Sequence, residues 1–168
     1  MQINSPDGKT VNVSDINRLL VEAAIRSYAG VLSEDGLVFS WSTTQHDILM
    51  EETALLIKND YDGKALVVDK IITTGEDAIF CVHFPSNATF SGTAVSGVCL
   101  NTDWNLDDNA SAYQHESVNS RGDVVLFSNA PKEINFKGEL RIGSGKIIAI
   151  DYLSEANNSA VTLIGHFE

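Results

Sequence analysis

The chain has 168 residues, 43% of them apolar and 20% charged, with a formal net charge of −12 and a pI of about 4.6. That length suits one domain with its own core, and the composition is that of a globular chain, not a disordered one. The acidic balance argues against nucleic acid and anionic membranes as partners, because both require a basic footprint.

No apolar stretch approaches the ~18 residues of a membrane span. The start, Met1 to Asp7, has neither the basic opening nor the apolar middle of a secretion signal. Synthesis in a cytoplasm is therefore expected, and Cys81 and Cys99, each within an apolar run, are expected to be buried free thiols rather than a disulfide. No linker or repeat divides the chain. We expect a polar N-terminal arm over residues 1–14 and one domain over residues 15–168.

Residues 15–26 read two ways. Ser14 and Asp15 precede Ile16, Leu19, Leu20, Ala23 and Ala24 at helical spacing, with Gly30 beyond. Yet Leu19, Val21, Ala23 and Ile25 alternate with a second set bearing Arg18, Glu22 and Arg26, as on a strand. From Leu37 onward the signals are β: residues 37–41, then 53–58, then 65–72. The Asp62-Gly63 turn between the last two predicts an antiparallel hairpin.

Residues 78–84 form a further β-rich run, residues 93–100 a less regular one, and residues 101–120 a polar stretch. The later runs are 124–127, 134–142, 146–151 and 161–167, with Gly143-Ser144-Gly145 as a tight turn. The clearest is 134–142. There Ile134, Phe136, Leu140 and Ile142 alternate with Asn135, Lys137, Glu139 and Arg141, which is the pattern of a strand dry on one face and wet on the other. Eight or nine short strands with turns at ~8–12-residue intervals predict an all-β antiparallel fold, either a sandwich (jelly-roll-like, of about eight strands) or a barrel.

Chemistry is sparse. His46, His83, His115 and His166 form no close pair at metal-ligand spacing, and His83 and His166 fall inside strands, where a packed histidine is the default. A cupin-type oxygenase would need histidines converging in a barrel, and the His-x-His pairing is missing. There is no Gly-x-Ser-x-Gly elbow, and Gly143-Ser144-Gly145 lacks the Lys-Ser/Thr of a phosphate loop. No catalytic residue and no cofactor are expected.

The best metal candidate is a calcium loop, with oxygen ligands from Asp103, Asn105 and Asp107. Asp108 and Gln114 stand where an EF-hand needs Gly and Glu, so that motif is excluded. Arg121-Gly122-Asp123 is assigned to a turn. The glycosylation triplets at Asn12, Asn87, Asn109 and Asn157 carry no weight without a secretion signal.

In order, these segments resemble small β-sandwich virion proteins of tailed bacteriophages, of the head decoration or cement kind. The likeness runs over roughly residues 15 to 168. It rests on Asn17-Arg18-Leu19-Leu20-Val21, the Ser33 to Trp41 segment, the pair Ala54 to Asn59 and Leu66 to Ile71, and Gly92-Thr93-Ala94-Val95 with Cys99-Leu100-Asn101. It ends on Gly138 to Gly145, Lys146 to Ile150, and Val161 to Glu168. The polar residues 101–120 depart from it by lacking glycine-rich character.

The resemblance implies a non-enzymatic virion protein on the outer head surface. It would contact the major capsid protein and associate with itself, a trimer suiting local threefold positions. It also favours strand over helix for residues 17–26, and it carries over no functional residue. The competing expectation is a receptor- or carbohydrate-binding sandwich of a tail fibre, calcium-dependent through Asp103, Asn105 and Asp107, with Trp41, Trp104 and Tyr113 as sugar-facing aromatics.

Overall fold

A computed structural model describes residues 2–4, 10–12, 38–49, 52–75, 78–85, 88, 90, 92–101, 106–114 and 121–168. The strand-or-helix question at residues 17–26, and the candidates Asp103, Trp104 and Asn105, lie outside the described residues.

Every described element is a strand. In chain order these are β1 (Gln2–Asn4), β2 (Thr10–Asn12), β3 (Val38–Ser42), β4 (His46–Ile48), β5 (Glu52–Asn59), β6 (Leu66–Thr73), β7 (Ile79–Phe84) and β8 (Thr93–Val95). There follow β9 (Val98–Cys99), β10 (Ala110–Gln114), β11 (Asp123–Asn129), β12 (Lys132–Ile142), β13 (Ile147–Tyr152), β14 (Ala156–Ser159) and β15 (Val161–Phe167). β1 pairs with β2, and β14 with β4, in two small ladders.

Two large sheets make the body. One has the order β11-β7-β13-β5-β10-β8 and the other β12-β6-β15-β3-β9. Eight strands form a nested hairpin: β3 pairs with β15, β5 with β13, β6 with β12 and β7 with β11. The hairpin is rolled so that β15 also meets β6, and β13 also meets β7. This is the all-β antiparallel sandwich expected from the sequence, with jelly-roll connectivity. The excursion between β7 and β11 supplies β8, β9 and β10, which extend both sheets past β5 and β3.

The apolar faces of the two sheets meet, as layered β folds require. Phe39, Trp41, Leu55, Ile57, Leu66, Val68, Phe80, Val82, Ile150, Leu163 and Phe167 lie in this core. Phe167 packs edge-on to Phe39 (centroids 5.9 Å apart, 67°) and to Trp41 (6.3 Å, 87°), the geometry that aromatic quadrupoles favour. Phe80 and Tyr152 stand 6.1 Å apart.

The expected hairpin across Asp62-Gly63 is not formed. β5 belongs to the six-stranded sheet and β6 to the five-stranded one, so the turn is a corner between layers. An Asp-Gly turn specifies a local reversal. Both strands are buried along most of their length, and each is already flanked on both sides, β5 by β13 and β10, β6 by β12 and β15.

Asn59 pins the corner. Its side-chain nitrogen donates to the carbonyls of Lys64 (2.8 Å) and Ile142 (2.9 Å), and its side-chain oxygen accepts from the Tyr61 N–H (2.9 Å). Its backbone also bonds Lys146 O (3.0 Å) and Gly145 N (2.7 Å). It thereby ties in the Gly143-Ser144-Gly145 turn, which likewise carries the chain from one sheet to the other. Asn59→Ala strands two carbonyls and an N–H, and we expect a loss of about 2–3 kcal/mol in denaturant unfolding.

Residues 93–100 become two strands in different sheets, broken at Ser96-Gly97. The polar stretch hides β10, which pairs with β5 and β8.

Candidate functional site

Within β7, Phe80 and Val82 point into the core, so alternation turns Cys81 and His83 away from it. There they meet Asp151 of β13 and Thr53 of β5, all four buried. Asp151 is the hub. Its Oδ1 accepts from the Thr53 hydroxyl (2.7 Å), and its Oδ2 lies 2.8 Å from His83 Nε2 and 3.6 Å from Arg121 Nε. The Gly122 N–H faces His83 Nδ1 at 3.4 Å. That assigns the ring proton to Nε2, which donates to Asp151.

Cysteine, histidine and aspartate are the residue types of a nucleophilic triad, but their roles do not connect. Both imidazole nitrogens are engaged elsewhere, and burial, reinforced by the Asp151 charge, pushes the Cys81 thiol up to about 11. A thiol held protonated in this way is inert.

The ligand atoms of Cys81, His83 and Asp151 also lie within 4.8 Å of one another, a donor set that zinc accepts. The set does not fit a metal here, because a 2.8 Å hydrogen bond joins two of the donors and a guanidinium sits beside the carboxylate. The cluster is a polar latch across β5, β13 and β7, with Arg121 as counter-charge to a buried carboxylate. The Arg121-Gly122-Asp123 tripeptide is thus used internally, its first two residues in this latch.

Two raised groups set a pH dependence. Cys81 rises from an ordinary 9.0 to about 11, and Tyr152, chiefly through burial, from 10.0 to about 12. The folded chain therefore keeps protons that the unfolded chain releases. The stability these groups contribute is fully present below pH 9 and is lost as the pH climbs through 11 and 12. Urea midpoints are expected to fall over that window, and Cys81→Ala should remove the earlier part of the fall.

A second histidine–carboxylate pair lies on the outer side of the other sheet. His166 Nδ1 meets Asp69 Oδ2 at 2.7 Å. Above it β12 bulges. Asn135 pairs with Lys70 and Leu140 with Val68, so four residues of β12 span the place of Asp69 alone. The extra length is absorbed at Lys137 (φ +53°) and Gly138 (φ +80°), the left-handed region that side chains disfavour.

The bulge walls a groove of about 640 Å³ that also includes Lys70, Arg141 and Glu168. Lys70 pairs with Glu133 at 2.7 Å, and Arg141 with Glu168. His83 and His166 thus belong to different sheets and face away from the shared core, so they do not converge as a cupin site requires.

The calcium and sugar candidates fare differently. Asp107 is exposed, while Asp103 and Asn105 are outside the described residues. The neighbouring Asp108 spends Oδ2 on the Trp41 indole N–H (2.8 Å) and the Gly97 N–H (2.5 Å), which anchors a loop. Trp41 is fully buried and therefore presents no face to a sugar. Its parity with Phe39 along β3 could have shown this from sequence. Tyr113 packs against Phe90 at 5.4 Å. Both histidine–aspartate pairs escaped sequence reasoning, since their partners are 68 and 97 residues apart and only strand register joins them.

Comparison with protein-family models, curated proteins and solved structures returns no match for this chain.

Proposed function

We propose that this chain is a structural adhesion protein of a tailed-phage particle. It would be made in the host cytoplasm and seated on the outer surface of the capsid, against the major capsid protein and further copies of itself. One observation carries the reading. The charged side chains gathered at the two histidine clusters, Lys137 apart, are spent on one another, whereas large apolar side chains such as Val98, Val124 and Phe127 stand open to solvent. Such a molecule offers surface, not a reaction centre. The order of segments adds the resemblance to phage decoration proteins.

Assembly contacts of this kind bury on the order of 2,000 Å² or more in total. The test is sedimentation of purified protein with phage heads that lack it. Saturable co-sedimentation is expected, and protein left wholly in the supernatant overturns the reading.

The groove beneath β12 favours a second reading, a receptor- or carbohydrate-binding protein of the tail. Lys137 lines the groove and carries no ion pair among the described residues, which gives an acidic sugar one cationic contact. A glycan array, run with and without calcium, separates the two readings.

A further inference from the structure

The four edges of the two large sheets are unequal. Sheet edges expose unpaired peptide groups, and proteins blunt them with short strands, charges or bulges. β8 and β9 are three and two residues long. β12 is long, but it carries Lys132, Glu133, Lys137, Glu139 and Arg141 along with its four-residue bulge.

β11 is the exception. It runs seven residues, and its single charge, Asp123, is at the very start. Its own bulge falls early, between Val124 and Leu126, and Leu126 to Asn129 then run in regular register along β7. Among the described residues only β7 pairs with it. Phe127 is 60% exposed and Val124 41%, and Ile79 of the adjoining β7 is 45% exposed.

We infer that β11 is a self-association edge, where a second copy of this chain adds its own β11 antiparallel across a two-fold axis. Two features select a second copy as the occupant. Each copy carries a formal charge of −12, so two copies approach most readily through a strip free of acidic groups, and residues 124–129 are such a strip.

The strand is also compatible with itself. An axis through Phe127 sets Phe127 against Phe127 on the outer face. It sets Leu126 against Ser128 on the other face, where they stand opposite Val82 and Phe80. Opposed residues thus share a face, as antiparallel pairing demands, and no like charges meet. The two six-stranded sheets join into one continuous layer. Such pairing is two-fold and yields dimers, in contrast to the trimer expected from the resemblance.

The experiment is sedimentation velocity over a wide concentration range, on the full chain and on Phe127→Lys, Val124→Lys and Leu49→Lys. The last is a control at an equally open apolar residue, 68% exposed, away from this edge. All three sites are solvent-facing, so circular dichroism should be unchanged. We expect a dimer for the parent chain and for Leu49→Lys, and self-affinity at least about tenfold weaker for the two edge variants. Hydrogen exchange at the β11 amides should slow in the dimer and not in Phe127→Lys.

A parent chain that stays monomeric, a trimer, or a dimer indifferent to both edge substitutions overturns the inference. Head binding is scored separately. A monomeric Phe127→Lys that still sediments with heads leaves the capsid reading standing. A monomeric parent whose head binding depends on Phe127 assigns this edge to the capsid and refutes pairing between copies.

Discussion

Asp151→Ala is expected to destabilise the fold by about 3–5 kcal/mol, the usual cost of removing one member of a buried charged network. Alanine would leave the Thr53 hydroxyl and the His83 Nε2–H without their acceptor, and Arg121 without its counter-charge. Three neighbouring strands would lose their shared tie. For a domain of this size the loss corresponds to a fall in Tm of roughly 10 °C. Asp151→Asn keeps the shape but turns an N–H toward one of these donors, so an intermediate loss is expected. Equilibrium denaturation of both variants is the measurement. A loss below about 1 kcal/mol for alanine would show that solvent reaches the latch.

Trp41→Ala is expected to be comparably severe, at about 3–5 kcal/mol. The indole fills the core between Phe39 and Phe167 (centroids 5.9 and 6.3 Å away) while its N–H holds Asp108. Two substitutions divide these roles. Trp41→Phe keeps much of the packing and drops the hydrogen bond, at an expected cost of about 1–2 kcal/mol. Gly97→Ala leaves the core filled but brings a Cβ within 2.6 Å of the Trp41 nitrogen and of Asp108 Cβ, so the loop must move at a cost of about 1–3 kcal/mol. Unfolding midpoints in that order, alanine at 41 lowest, support the division. Near-parity of Trp41→Phe and Trp41→Ala would mean that the Asp108 tie dominates.

The strands were largely legible, because alternation is a local property. The runs expected at 37–41, 53–58, 65–72, 78–84, 124–127, 134–142, 146–151 and 161–167 correspond to the eight strands of the rolled hairpin. Even across the β12 bulge, Ile134, Phe136, Leu140 and Ile142 remain the better-buried set. Pairing was harder to read. Asp62-Gly63 marks a reversal, but whether the next strand lies beside the last or in the facing layer depends on partners such as β13 and β15, a hundred residues away in sequence.

β10 was hidden because Ser111 and Gln114 give it no apolar rhythm; it is held by pairing with β5 and β8. The site was least legible. His83 and Cys81 could be placed on one side of β7, yet Asp151 and Thr53 join them only through the register of β13 on β7 and β5. Likewise nothing around Lys137-Gly138 other than the glycine hinted that β12 would swell over Asp69 and His166.

The nesting of β3 with β15 also constrains biosynthesis. β15 occupies the middle of its sheet, between β6 and β3, so the β12-β6 and β3-β9 pairs are not joined into one sheet until β15 has been made. Contacts this distant along the chain make for high contact order and slow acquisition of structure. Until then the apolar faces of β3 and β6 lack the strand that joins them, and a chain in that state depends on whatever shields such surfaces in the cell.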